Sequence, residues 1–183
     1  MRLSRYDDNL HQVAKDVSAL EAAIIAAQRQ LSDLTSDVMD ASDAARLESY
    51  IGEALRILGR HDEAIAAQRS AIARLDRGGF QRPLLAYSLR LAEAQRVSGN
   101  LEPAERGFRD SLSMARSDSE LANYEDFALQ HLGKCLLDQG RLGEAAVSLR
   151  DALVIRRRNG DAEPVASTEA ALHLVERRQS SSL

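Results

Sequence analysis

The sequence has no tryptophan, only three phenylalanines and four tyrosines, three prolines and a single cysteine. One thiol cannot close an internal disulfide, so Cys135 implies no oxidising compartment. Strand-like runs of Val, Ile, Thr and Tyr are missing, which argues against a sheet protein. Lysine is nearly absent: Lys15 and Lys134 are the only two, and the other 22 basic residues are arginine. That bias, together with abundant alanine, is what a GC-rich genome produces, and it points to a bacterial source. No apolar run approaches the ~20 residues that span a bilayer. The opening Met1-Arg2-Leu3-Ser4-Arg5-Tyr6-Asp7-Asp8 has no apolar core of a secretory signal. A cytoplasmic protein without a membrane partner is expected. There is no basic excess either: 24 basic residues face 28 acidic ones for a net charge of −4. The arginines are scattered along the chain, so no nucleic-acid partner is expected.

At 44% hydrophobic and 28% charged residues the chain is globular in composition. Its 183 residues suffice for one domain or a short repeat array. Ala, Leu and Arg are the commonest residues and Glu is abundant, and all four are strong helix formers, so the fold class is all-α. Three segments align internally: Leu47–Leu75, Ala86–Met114 and Phe127–Ile155. Each reads as two amphipathic helices around a turn glycine, Gly59, Gly99 or Gly140, spaced 40 and then 41 residues apart. Glycine supplies a left-handed helix cap. The acids that follow (Asp62 and Glu63, Glu102, Glu144) suit the positive end of the next helix dipole. Small residues recur in register: Ala64, Ala104 and Ala145 after the turn, then Ala71, Ser111 and Ala152, with Gly52, Ala92 and Gly133 before it. They allow antiparallel helices to approach closely. Leu55, Leu91, Leu132, Leu136, Ile72, Leu112 and Leu153 supply the apolar stripe.

These positions resemble the tetratricopeptide repeat (TPR) family, in the longer-period form found in kinesin light chains. Gly52, Gly59, Ala64 and Ala71, and again Gly133, Gly140, Ala145 and Ala152, fall on its small-residue signature. The middle segment departs from it with Ala92, Gln95 and Ser111, and of the family's aromatic positions Phe108 is the clearest survivor. The resemblance covers residues 42–158 and implies a right-handed α-solenoid of antiparallel helix pairs. The expected organisation is one repeat domain over residues 1–183. It comprises a degenerate repeat at 3–41, repeats at 42–82, 83–119 and 120–160, and a capping helix at 163–179. Ile25-Ala26-Ala27-Gln28-Arg29 recurs as Ile65-Ala66-Ala67-Gln68-Arg69, so residues 3–36 are expected to form two helices or one long bent one. A half-repeat with a polar outer face commonly caps such arrays. The Ser180-Ser181-Ser182 tail is expected to be disordered.

Chemistry-bearing motifs are sparse. His11, His61, His131 and His173 fall in different helical units. His131 and Cys135 share a helix face, but a metal site needs three or four ligands, and Cys135 falls at an inward small-residue position where an inert thiol is normal. Gly78-Gly79 lacks the spacing of a phosphate loop. Asp37, Asp40 and Asp43 lack the glycine and closing glutamate of a calcium loop and read as helix-start acids. Arg156-Arg157-Arg158 reads as a solvated helix terminus. No catalytic residue, cofactor or metal is expected, and no enzymatic activity.

The resemblance implies a concave groove lined by the first helix of each pair. It places there Arg46, Ser49, Tyr50, Glu53 and Arg56, then Leu89, Arg90, Glu93 and Arg96, then Gln130, His131, Lys134 and Asp138. Arginine forks facing a groove can clamp a carboxylate; equally, such charges can be exposed helix pairs such as Glu53–Arg56. Of the clamp used by chaperone-tail binders, only Arg90 has a counterpart. The function expected is a non-catalytic adaptor or scaffold for a protein or peptide. The alternatives are a self-assembling helical repeat, with a homodimer as its simplest form, or the sensing half of a larger regulator.

Overall fold

The computed structural model describes residues 4–7, 12–34, 38–75, 79–160 and 162–181. Strands β1 (Ser4–Tyr6) and β2 (Gln12–Ala14) pair antiparallel, and helices follow: α1 (Val17–Ser32), α2 (Val38–Ile57), α3 (His61–Leu75) and α4 (Gln81–Val97). After these come α5 (Leu101–Ser117), a 3-10 turn at Ala122–Tyr124, α6 (Glu125–Asp138), α7 (Leu142–Asn159) and α8 (Ala162–Ser180). The chain forms two compact units, Met1–Asn100 and Leu101–Leu183.

The recurrent glycines do what their period requires. Gly59, Gly99 and Gly140 have φ of 78°, 84° and 75°, a region in which a β-carbon is strained. In each case the next residue's amide reaches back to the helix: Arg60 N to Leu55 O, Asn100 N to Gln95 O and Arg141 N to Leu136 O, all at 2.9 Å. The glycine amide itself bonds Arg56 O, Arg96 O or Leu137 O at 3.0 Å. This double closure satisfies carbonyls that the helix end would leave bare.

In the first unit, α1 starts where Asp16 Oδ1 accepts the Ala19 amide at 2.9 Å. Leu20, Ile24 and Ala27 of α1 are buried with Leu47, Ile51 and Leu55 of α2 and Ile65 of α3. A second cluster joins Ala45, Ala71, Leu75 and Tyr87. Helix α3 packs against both α2 and α4, and α2 also touches α4. The expectation of two helices or one long bent one over residues 3–36 is corrected here: a pair of short antiparallel strands precedes the single helix α1. The repeated pentapeptide speaks for α1 alone, and Asp16, by taking the Ala19 amide, sets its start after the hairpin. Asp37 lies outside the described residues; Asp43 pairs with Arg46 at 3.3 Å on the surface of α2.

In the second unit α6 packs between α5 and α7, and α8 lies on α7 and touches α6. Buried Ala171, Leu174 and Val175 supply the inward face of α8. The arginine run departs from its expected solvated state. Arg156 is 6% exposed and donates to Asp126 Oδ2 at 2.7 Å, Thr168 Oγ1 at 2.9 Å and Pro164 O at 3.1 Å. It joins α7 to α6 and α8, while Arg157 pairs with Glu169. Of the serine tail, Ser180 belongs to α8 and donates to Glu176 O, and Ser182 lies outside the described residues. Among the described residues no helix is long and apolar enough to cross a membrane.

Two contacts set the spacing of paired helices. A β-carbon on Gly52 would lie 2.7 Å from Gln68 Nε2, and one on Gly133 would lie 2.6 Å from Leu149 Cγ and 3.3 Å from Ala145 O. Gly133→Ala should therefore destabilise the protein by about 1–3 kcal/mol through overpacking. Combined with Leu149→Ala, its cost should fall well below the sum of the single losses, as measured by denaturant unfolding.

Glu105 of α5 ties that helix to the α6–α7 turn. Its carboxylate accepts from Gln139 Nε2 at 2.9 Å, Arg141 Nη1 at 2.7 Å and Arg109 Nε at 2.9 Å. Burial would push the carboxyl up, but Gln139, Arg109 and Arg141 hold it down at about 2, against 4.5 ordinarily. A depressed carboxyl contributes stability that is present above its unfolded value and is lost as pH falls through the folded one. Glu105→Gln should thus cost about 1–2 kcal/mol at pH 7. The difference from wild type in urea unfolding should shrink between pH 4.5 and 2.

Candidate functional site

The thirteen residues expected on the inner helices divide by burial. On α2, Arg46 and Tyr50 are exposed and Glu53 is half-buried, whereas Ser49 and Arg56 are buried. On α4, Leu89, Glu93 and Arg96 are buried and Arg90 is half-buried. On α6 of the second unit, Gln130 and Lys134 are buried, with His131 and Asp138 half-buried.

The buried arginines of α2 and α4 pair with glutamates of their own helices. Arg56 Nε donates to Glu53 Oε2 at 3.2 Å, and Arg56 Nη2 reaches Gln12 Oε1 of β2 at 2.7 Å. Arg96 donates to both oxygens of Glu93, at 2.9 and 3.0 Å. Burial works against the Arg56 charge, but the carboxylate of Glu53, its hydrogen bond and nearby Glu93 outweigh that and raise its pKa. Each glutamate stands six residues before its turn glycine and each arginine three before it. Lys134 and Leu137 occupy those places in the next period. The Glu53–Arg56 pair is therefore not an ordinary exposed one: its arginine is 5% exposed and holds the N-terminal hairpin.

A different arrangement surrounds Arg90. Its Nη1 donates to Ser49 Oγ at 2.8 Å, and its guanidinium carbon lies 5.6 Å from the centre of the Tyr87 ring. Ser49 Oγ in turn donates to Gln68 Oε1 at 2.9 Å, while Gln68 Nε2 donates to Ser49 O at 2.9 Å. Arg90 edges a cleft of about 440 Å³ between α1, α2 and α4. Ala23, Ala27 and Gln30 form its α1 side, and Leu47, Tyr50 and Arg46 its α2 side. The structure thus gathers Arg46, Tyr50 and Arg90 from the expected residues. The α1 wall and Gln68 were not anticipated. Gln68 did carry a signal, because Phe108 and Leu149 occupy its place in the other periods.

On α6, the His131 ring lies between Phe127 and Phe108, with centroids 4.1 and 5.8 Å away. Cys135 is buried, and its Sγ lies 3.5 Å from Leu101 O. Gln130 Nε2 donates to Ser167 Oγ of α8 at 3.3 Å. His61 opens α3, His173 pairs with Glu176 on the surface of α8, and His11 lies outside the described residues. Among the described residues no three His, Cys, Asp or Glu side chains are grouped to hold a metal ion.

Glycine-capped helix pairs, with α2 beside α4 in the first unit and α6 beside α8 in the second, define a TPR-like helical-repeat fold. Solved structures share this fold. The apo form of RapI matches with a TM-score of 0.73 at 16% identity, over 91% of this chain. The chain spans 59% of the length of RapI. A point variant of a Podosopora anserina protein with nearly identical TPR-like repeats, described as a kinesin light chain, matches with a TM-score of 0.65 at 15% identity. That match covers 90% of this chain and 78% of the other. A further structure of such a Podosopora anserina protein gives a TM-score of 0.59 at 14% identity, over 92% and 90% of the two chains. No known family of sequences matches the chain, and no curated protein does. At these identities the likeness is one of fold.

The split between buried and exposed charges is measurable. Glu93→Gln, which removes the carboxylate that accepts from both Nε and Nη2 of a 2%-exposed Arg96, should cost about 1–3 kcal/mol in urea unfolding. Arg46→Gln, which removes an exposed pair, should change stability by less than about 0.5 kcal/mol.

Proposed function

We propose that this protein is a non-catalytic adaptor that holds a protein or peptide segment on its inner helices. The observation that carries the reading is the gathering of Arg46, Tyr50 and Arg90 at one cleft with Ala23, Ala26 and Ala27 of α1. Repeat arrays commonly present extended surfaces of this kind to partners. In the first unit, the expected residues that keep solvent access, Arg46, Tyr50, Glu53 and Arg90, are those assigned to contact, and Ser49, Arg56, Leu89, Glu93 and Arg96 support them from within. On the second unit's own surface, His131 and Asp138 are the half-buried residues of α6. No cofactor is invoked, and a cytoplasmic location in a bacterium suits this role.

The test is capture from a lysate of the source cell with wild type beside an Arg46→Glu, Arg90→Glu double variant. Both substitutions avoid the buried pairs, so the variant should retain its far-ultraviolet circular dichroism and unfolding midpoint. Wild type is expected to retain a partner that the variant loses by about tenfold or more. Equal retention by both would move the binding surface elsewhere.

Self-association is a second reading, favoured by Val147 and Val154. They lie seven residues apart on α7 and are 56% and 50% exposed. Light scattering across a concentration series separates the two. The adaptor reading expects a monomer, whereas a dimer abolished by Val147→Glu with Val154→Glu would establish assembly through α7.

A further inference from the structure

Gln68 is the least expected residue of the first unit's core. It is 1% exposed and stands nine residues after Gly59, where Phe108 and Leu149 follow Gly99 and Gly140. A buried amide left unbonded is costly, and here both ends are engaged by one residue. Ser49 Oγ donates to the amide oxygen, and Ser49 O accepts from the amide nitrogen. With its proton committed to Gln68, the Ser49 hydroxyl presents lone pairs to Arg90, which donates at 2.8 Å. A chain of hydrogen bonds therefore runs from the core to a guanidinium at the mouth of the cleft and fixes its position.

That guanidinium is not neutralised internally. Arg46, Arg56 and Arg96 each have a carboxylate, from Asp43, Glu53 and Glu93. Among the described residues none stands within ion-pair distance of Arg90, which keeps its Nε and Nη2 donors for another acceptor. Beside it the cleft is lined by the alanines of α1, and Tyr50 stands 47% exposed at its edge. A held cation with spare donors suits a carboxylate, and a cleft lined by alanines with a tyrosine beside them suits an aliphatic side chain.

We propose that the cleft between α1, α2 and α4 receives an extended peptide segment in which a Glu or Asp side chain adjoins a leucine-sized apolar one. The carboxylate sits on Arg90, with Arg46 as the second cation, and the apolar side chain lies on α1 against Tyr50. Gln68 and Ser49 are positioning residues that act through Arg90. This rests on the adaptor reading and supplies the chemistry of the partner.

The experiment titrates the ¹⁵N-labelled full chain with N-acetyl-Leu-Glu-amide and, in parallel, N-acetyl-Leu-Gln-amide, following arginine Nε–Hε resonances. The Arg90 resonance, assigned by its loss in Arg90→Gln, should move with the Glu probe, and the Gln probe should bind about tenfold more weakly. Gln68→Leu copies the residue that packs on Gly133 in the later period. It should keep the unfolding midpoint while weakening the Glu probe about fivefold. Ala26→Trp, which fills the cleft from α1, should abolish the shift. An Arg90 resonance that ignores the Glu probe, or responds equally to both probes, overturns the proposal. So does wild-type affinity in both Gln68→Leu and Ala26→Trp. If a lysate partner is lost from the double arginine variant while the dipeptides move nothing, this inference fails and the adaptor reading stands.

Discussion

The close approach of paired helices, at a glycine on one and a single side chain on the other, is the constraint on which the rest depends. At Gly133 and Leu149, as at Gly52 and Gln68, the space a methyl group would need is already filled. Helices held this near share a narrow seam, and the glycine cap between them is short enough not to force them apart. The residue seated on the glycine therefore decides what each seam can do. Leucine makes it a purely apolar contact.

Glutamine makes the first seam different. Its amide is bonded at both ends, so the polar core carries little net penalty, yet nothing in the packing of the helix pair requires it. Its consequence appears on the inner surface, where Ser49 and then Arg90 are held in place. The same division between supporting and presenting groups recurs nearby. Arg56 and Arg96 are drawn into buried pairs, with Arg56 anchoring the hairpin through Gln12, while Arg46 and Arg90 remain at the cleft. The arginines of α2 and α4 thus divide into those paired in the interior and those left at the cleft.

The helix pairs were legible because their determinants are local and periodic. Gly59, Gly99 and Gly140 mark αL caps whatever surrounds them, and the small residues recur in register with them. The hairpin escaped notice because three-residue strands give no periodic signal and the repeated pentapeptide lies within α1. Burial of Arg56 and Arg156 was illegible for another reason. A long side chain's exposure depends on which neighbours reach it, and Gln12, Asp126 and Thr168 are distant in sequence from the arginines they meet. The cleft was half visible: family positions supplied Arg46, Tyr50 and Arg90, but its α1 wall comes from tertiary packing alone.

The most direct test of this account is the crystal structure of the Gln68→Leu variant. The account predicts that α2 and α3 keep their separation, with the introduced leucine side chain resting on Gly52 as Leu149 rests on Gly133. It also predicts that the Ser49 hydroxyl turns to a carbonyl of its own helix and that the Arg90 guanidinium leaves its place at the cleft. An Arg90 still donating to Ser49 in its original position would contradict it, because Gln68 would then be a packing residue and no more.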